Sequence, residues 1–212
     1  ATSNKPPKIA HIILAAGASR RMGQPKLFLP VKDDLSLLET AVWAVAEHGP
    51  IVVVTGAYDQ EIREHLAELH NLLTKNGITK FLFAFNKNWD TGMSSSISVG
   101  VKAAGAYMPD AYCITLADQP GIDAATIGRF HQEFKQAPTT ILATWYPERL
   151  GVPTIFPTNY AEALIDGTGQ SGARALIANP ENDVVAVHLS EPPVDIDTPE
   201  DYEKLTGRKP AP

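Results

Sequence analysis

Three short, almost unbroken apolar runs, at 8–14 (KIAHIIL), 51–55 (IVVVT) and 111–117 (AYCITLA), set the main constraint on how this chain folds. A strand with one face in water alternates apolar and polar residues. These runs do not, so both faces are covered, as in a parallel sheet flanked by helices. The intervening stretches carry apolar residues at helical spacing. Ser36-Leu-Leu-Glu39 is a capping box opening a helix over 36–47, with Leu38, Val42 and Val45 on one stripe. A second helix is expected over 59–73 through Ile62, Leu66, Leu69 and Leu73, and a third from about 95 with Ile97 and Val101 inward. Asp123 caps a fourth, whose apolar side is Ile127, Phe130 and Phe134. Residues 27–31 read as a short extended piece, and 80–85 and 140–146 as further strands. Strand–helix alternation with right-handed crossovers gives an α/β architecture, a mainly parallel sheet with helices on both faces.

From 151 the rhythm changes. Gly151-Val-Pro-Thr154 and 167–174 (GTGQSGAR) read as loops shaped for a second substrate. Brief helices are expected near 158–165 and 172–178, a last strand over 183–189, and a terminal helix entered through Thr198 and Pro199. No repeat or linker divides the 212 residues. One domain is expected, loose at 1–7 and 207–212, with a nucleotide half over 8–120 and an acceptor half over 121–206. The net charge of −6 argues against a general nucleic-acid binder, and one cysteine, Cys113, leaves neither a disulfide framework nor a thiolate metal cluster. With no apolar run of membrane-spanning length, a cytoplasmic protein without a membrane partner is expected.

Ligands of open α/β sheets sit beyond the carboxyl ends of the strands, and the noteworthy residues collect there. After the first run comes AAGASRRMGQPK (15–26), where Ala15, Ala16, Gly17 and Ala18 are small and Arg20, Arg21 and Lys26 are cationic. Small residues bring backbone N–H groups close to a ligand, and the cations suit a polyphosphate. The dinucleotide fingerprint G-x-G-x-x-G fails at Ser19, and the P-loop fails because Gly17 and Gly23 are one residue too far apart. Thr55 and Gly56 follow the second run. Gly92-Met-Ser-Ser-Ser96 sets three hydroxyls at a helix start, more than capping needs, so Ser95 and Ser96 are binding candidates. Asp118 reads either as a turn cap or as a Mg²⁺ ligand, and DIDTPED offers a partner acid in Asp195 or Asp197, with Asp195 favoured. On a strand these two face one side. Arg174 reads equally as a surface residue or as an anion contact. Cys113 and His11 read as core, and His48, His65, His70 and His131 show no metal spacing.

Together, LAAGASRRMGQPKLFLP (14–30), NKNWDTGMSSSI (86–97), LADQP (116–120), GVPTIF (151–156) and DIDTPEDY (195–202) resemble the molybdenum-cofactor nucleotidyltransferase family. Ala16, where the guanylyltransferase branch has glycine, is similar to the cytidylyltransferase branch. The resemblance implies a Rossmann-like, three-layer nucleotide-diphospho-sugar transferase fold. It implies that Ala15, Ala16 and Gly17 contact the nucleotide through their backbone, that Ser95 and Ser96 lie near its base or ribose, that Arg20 and Lys26 bind its phosphates, and that Asp118 holds Mg²⁺ (or Mn²⁺). By their place at the strand ends, Leu14, Thr55, Gly56 and Gly92 are expected to complete the nucleotide site. Gly151, Pro153, Gly172 and Arg174 then fall to the acceptor. The chain departs from the family pattern at Val152, where a polar residue is common, and at Gln170–Ser171, where an acid is common. The expected reaction moves CMP from CTP to the phosphate of molybdopterin. The rivals are another nucleotide or acceptor on the same fold, or a non-catalytic module that inserts the cofactor into a client molybdoenzyme. A monomer or weak homo-oligomer is expected.

Overall fold

The computed structural model describes residues 5–167 and 172–210. Seven strands form one sheet: β1 (Ile9–Leu14), β4 (Ile51–Thr55), β5 (Phe81–Phe85), β6 (Ala111–Leu116), β7 (Ile141–Tyr146), β8 (Arg149–Pro157) and β9 (Val184–Val187). A small hairpin pairs β2 (Pro30–Lys32) with β3 (Leu35–Ser36). The helices are α1 (Leu37–Val45), α2 (Asp59–His65), α3 (Ala67–Lys75), α4 (Met93–Ala104), α5 (Ala124–Gln136), α6 (Ala161–Asp166), α7 (Gly172–Ala178) and α8 (Pro199–Thr206).

The sheet order is β5-β4-β1-β6-β8-β7-β9, with β8 antiparallel to its neighbours β6 and β7. The chain winds outward from β1 through β4 to β5, then returns to place β6 on the other side of β1. That reversal opens a crevice between the carboxyl ends of β1 and β6. Alternate residues of each buried strand serve opposite layers. Ile9, Ile13, Ile51 and Val53 pack with Leu38, Val42, Ile62, Leu73, Ile127 and Phe130 of α1, α2, α3 and α5. Ala10, Ile12, Val52 and Val54 pack with Ile97, Val101 and Leu164 of α4 and α6. Gly100 makes the second interface close: a Cβ there would lie 2.4 Å from Ile12 Cγ2 and 2.9 Å from Val54 Cγ2. A third cluster of Met22, Leu29, Leu37, Ile196 and Tyr202 pins the loop after β1 to α1 and α8.

The Ser36 capping box and the Asp123 cap form as the sequence predicts, and Thr198 with Asp201 makes a further capping box. Four expectations are corrected. The helix over 59–73 is two helices parted at Leu66 (φ −87°, ψ 0°), because unbroken apolar spacing does not register a local bend. Residues 27–31 begin as a 3-10 turn, Lys26–Phe28, before β2. Gly151-Val-Pro-Thr154 is not a loop but part of β8. Thr144 pairs with Gly151 and Ala143 with Thr154, so Val152 and Pro153 bulge from the ladder, where proline's missing N–H costs nothing. Asp195 and Asp197 lie on irregular extended chain rather than a strand, on either side of the buried Ile196. Gln170 and Ser171 lie outside the described residues.

The core also holds a stack the sequence does not announce. His11, fully buried on β1, has Nε2 at 3.0 Å from His131 Nε2, with the rings 5.1 Å apart and tilted by 10°. His48 lies 5.2 Å from His131, its Nε2 at 3.0 Å from the Ala124 carbonyl. Burial and the neighbouring imidazoles hold His11 well below the ordinary histidine value. Burial, helped by His48, brings His131 to about 4. Among the described residues no helix is long and apolar enough to cross a membrane.

Candidate active site

The loop leaving β1 is anchored at both ends. Ala15 N–H donates to Val54 O at 2.9 Å, and the Ala16 carbonyl accepts from Ala57 N–H at 3.0 Å. Between these anchors and the next turn, no described residue accepts the backbone N–H of Ala16, Gly17, Ala18, Ser19, Arg20 or Arg21. Six successive backbone donors are thus without an acceptor among the described residues, and runs of such donors are what anion-binding loops use. The turn falls elsewhere than small side chains suggest: Gly17 does not take positive φ, whereas Ser19 (51°) and Gly23 (76°) do. The Ser19 hydroxyl helps to stabilise its conformation by accepting from Lys26 N–H at 3.3 Å. Tyr58 reaches over from the β4 side and donates to Ala18 O at 3.0 Å.

Lys26 is 8% exposed, and its Nζ donates to Asp118 Oδ2 at 2.6 Å and to Asp197 Oδ1 at 2.8 Å. Arg21 takes the other Asp197 oxygen at 2.7 Å. Burial alone depresses the Lys26 ammonium, but Asp118 and Asp197 outweigh it and hold its pKa above the usual lysine value. Burial pushes the Asp118 carboxyl up; Lys26 pulls it back, while Asp195 and Asp197 push it further up. Asp118 Oδ1 is buried and accepts no hydrogen bond from the described residues. Ile196 fixes the acidic segment, its side chain in the third cluster and its N–H on the Asp118 carbonyl at 3.0 Å. The Asp197 and Thr198 N–H groups both donate to Asp201. Asp195 faces a different neighbour: Gln119 Nε2 donates to it at 2.8 Å and to the Tyr146 hydroxyl at 3.2 Å, which in turn donates to Val152 O at 2.6 Å. The acid sharing a cation with Asp118 is therefore Asp197 rather than Asp195.

Three adjoining cavities run along this edge. One of about 200 Å³ is lined by Leu14, Ala15, Gly17, Arg20, Lys26 and Asp118. The next, about 460 Å³, adds Ala16, Trp89, Gly92, Ser96 and Asp195. The third, about 420 Å³, is lined by Gln119, Tyr146, Arg149, Gly151, Val152 and Arg174 among others. Other expected residues sit behind these walls. Thr55 is fully buried and its hydroxyl donates to Asp59, and Gly56 is packed against Ala16 and Trp89. Ser95 and Ser96 both accept from Asn86 Nδ2, and of the two only Ser96 lines a cavity. Gly172 N–H donates to Ser94 at 3.3 Å, and Pro153 is buried in the bulge. Sequence reasoning passed over Trp89, Gln119, Tyr146 and Arg149. Trp89 and Gln119 lie within the motif segments 86–97 and 116–120, which is the available signal; Tyr146 and Arg149 lie in none.

The loop after β1, the acids Asp118 and Asp197 and the buried Lys26 thus meet at the switch point of a mainly parallel sheet, where open α/β sheets take their ligands. The chain belongs to the MobA-like NTP transferase domain family, whose model matches residues 11–185. It is similar to the purine catabolism protein PucB of Bacillus subtilis strain 168, with 32% identity over 94% of this chain and 96% of that one. The nicotine blue oxidoreductase of Paenarthrobacter nicotinovorans is 27% identical over 81% of this chain and 82% of its own. Among solved structures, Rv0371c of Mycobacterium tuberculosis H37Rv superposes with a TM-score of 0.76 at 22% identity, over 95% of this chain and 99% of that one. Its manganese complex gives 0.70, over 94% and 98%. The fold is the Rossmann-like nucleotide-diphospho-sugar transferase fold.

Proposed function

We propose that the protein transfers the cytidylyl group of CTP to the phosphate of molybdopterin, releasing pyrophosphate. The observation that carries this reading is the Lys26–Asp118–Asp197 cluster facing the unpaired N–H groups of Ala16 to Arg21. The loop receives the triphosphate, with Arg20 and Lys26 as its side-chain cations. The acceptor phosphate, already ionised near neutral pH, attacks the α-phosphorus. The bond to the acceptor oxygen forms as the bond to the β-phosphate oxygen breaks, and the electron pair leaves on pyrophosphate. No strong general base is required, so these residues act by positioning and charge neutralisation.

The donor set fits a divalent cation: Asp118 has a buried oxygen without a partner, Asp197 lies across Lys26 from it, and carboxylate oxygens suit Mg²⁺ or Mn²⁺. Such an ion, held by these acids, would supply charge neutralisation to the phosphates. The cytidine reading is supported by the LAAG and LADQP segments. The acceptor reading is supported by the third cavity, whose largely apolar lining also carries Gln119, Tyr146, Asp195 and the cations Arg149 and Arg174. Absence of the dinucleotide fingerprint at Ser19 disfavours redox chemistry with a nicotinamide cofactor. Pyrophosphate release measured for each of the four NTPs with molybdopterin is the test, and CTP is expected to exceed the others. Asp118→Asn is expected to lose on the order of a hundredfold in rate, as when one preorganised group is removed. Release with GTP alone, or undiminished release by the folded variant, would overturn the respective assignments.

A further inference from the structure

We propose that the Lys26 ammonium is the resting counter-ion of the acids that bind the divalent metal, and that it must leave them before the metal enters. This rests on the metal assignment above. Of the four oxygens of Asp118 and Asp197, three are already taken. Lys26 holds Asp118 Oδ2 and Asp197 Oδ1, and Arg21 holds Asp197 Oδ2. Asp118 Oδ1 alone is without a partner. Asp195 Oδ1 is occupied by Gln119. A small hard cation wants several oxygens at once. The resting site offers it one free carboxylate oxygen of this pair, with two cationic side chains beside it. In keeping with this, among the described residues no three carboxylate, imidazole or thiolate side chains are arranged to hold a metal ion.

A triphosphate changes the balance. Lys26, Arg20 and Arg21 line the same 200 Å³ cavity as Gly17, so the ammonium has anionic partners within reach once phosphates fill it. Its transfer to phosphate frees two acid oxygens at the moment a metal-binding polyanion arrives. Metal and nucleotide therefore bind cooperatively, and by linkage each tightens the other. The metal-free site stays neutralised and ordered in the meantime.

The test is a Mn²⁺ titration of the full chain without nucleotide, read by the loss of the free-ion electron paramagnetic resonance signal. Lys26→Met keeps a stem of similar length and removes the charge; Lys26→Gln repeats the test with a neutral polar side chain. Each is expected to bind Mn²⁺ about tenfold more tightly than wild type, inside the range typical of coupled sites. Binding no tighter than wild type overturns the counter-ion role. The unmodified protein gives an independent reading through the ¹⁵N-labelled Lys26 ammonium resonance. It is expected to hold its position on adding magnesium chloride alone and to move on adding CTP with magnesium. Movement with magnesium alone overturns the inference. If Asp118→Asn binds Mn²⁺ as wild type does in the same titration, the metal assignment itself fails and this inference falls with it. If that variant abolishes binding while Lys26→Met gains nothing, the metal assignment stands and the counter-ion role alone falls.

Discussion

The imidazole stack makes stability depend on pH between the ordinary histidine value and about 4. His131 titrates near 6.5 in an unfolded chain and at about 4 in the folded one. Between those values the unfolded state binds more protons, so folding stability rises with pH. It is fully present above about pH 6.5 and drains away toward pH 4. Each tenfold change in proton affinity is worth about 1.36 kcal/mol, so the shift amounts to roughly 3 kcal/mol before any allowance for solvent. His131 is only partly buried, and solvent screening brings the figure to roughly 2 kcal/mol. His11, completely enclosed and shifted the same way, adds to the trend. Urea unfolding of wild type and His131→Gln at intervals from pH 7 to 4.5 measures it. With slopes of roughly 2 kcal/mol per molar, the wild-type midpoint is expected to fall by about 1 M more than that of the variant. Equal pH dependence in the two proteins would refute the reasoning, because other groups titrate in both.

Two further outcomes concern packing and capping. Gly100→Ala gains about 1 kcal/mol of helix propensity but drives a methyl against the fully buried Ile12 and Val54. A net loss of roughly 1–2 kcal/mol is expected in a thermal melt, because overpacking a tight core costs about 1–3 kcal/mol. Asp123→Ala removes a cap that accepts from Thr126 N–H and Oγ1, both at 2.8 Å. It is expected to cost about 1 kcal/mol at neutral pH. Those same bonds hold the Asp123 carboxyl below its usual value. The cost should therefore shrink as pH falls through that depressed value, which chemical denaturation at pH 7 and pH 3 compares.

What the sequence makes legible follows from the range of the interactions. The buried strands and the caps at Ser36, Asp123 and Thr198 depend on neighbours three or four residues away, and they stand where local spacing puts them. The bend at Leu66 breaks no pattern of residue type, so periodicity runs through it. β8 hides because Gly151 and Pro153 punctuate it, and only its partners show that the proline sits in a bulge. At the site, residue types and loop positions are readable, whereas pairings are not. Lys26 meets Asp118 and Asp197 across separations of 92 and 171 residues, and the choice of Asp197 over Asp195 depends on where Ile196 is buried. His11, His48 and His131 come from three separate segments, and helical or strand spacing carries no trace of their meeting.

The reversed strand has a consequence for how such a molecule changes over generations. Because β8 runs against its neighbours, its start lies at the same rim as the ends of β1 and β6, joined to β7 by the two-residue turn Pro147–Glu148. That tip projects beside Tyr146, Arg149 and Leu150 at the mouth of the third cavity. Insertions there lengthen a rim without shifting the register of the sheet. The loop after β1 is braced separately, from β1 and β4. The rim at the β7–β8 tip can therefore vary while the loop after β1 keeps its bracing.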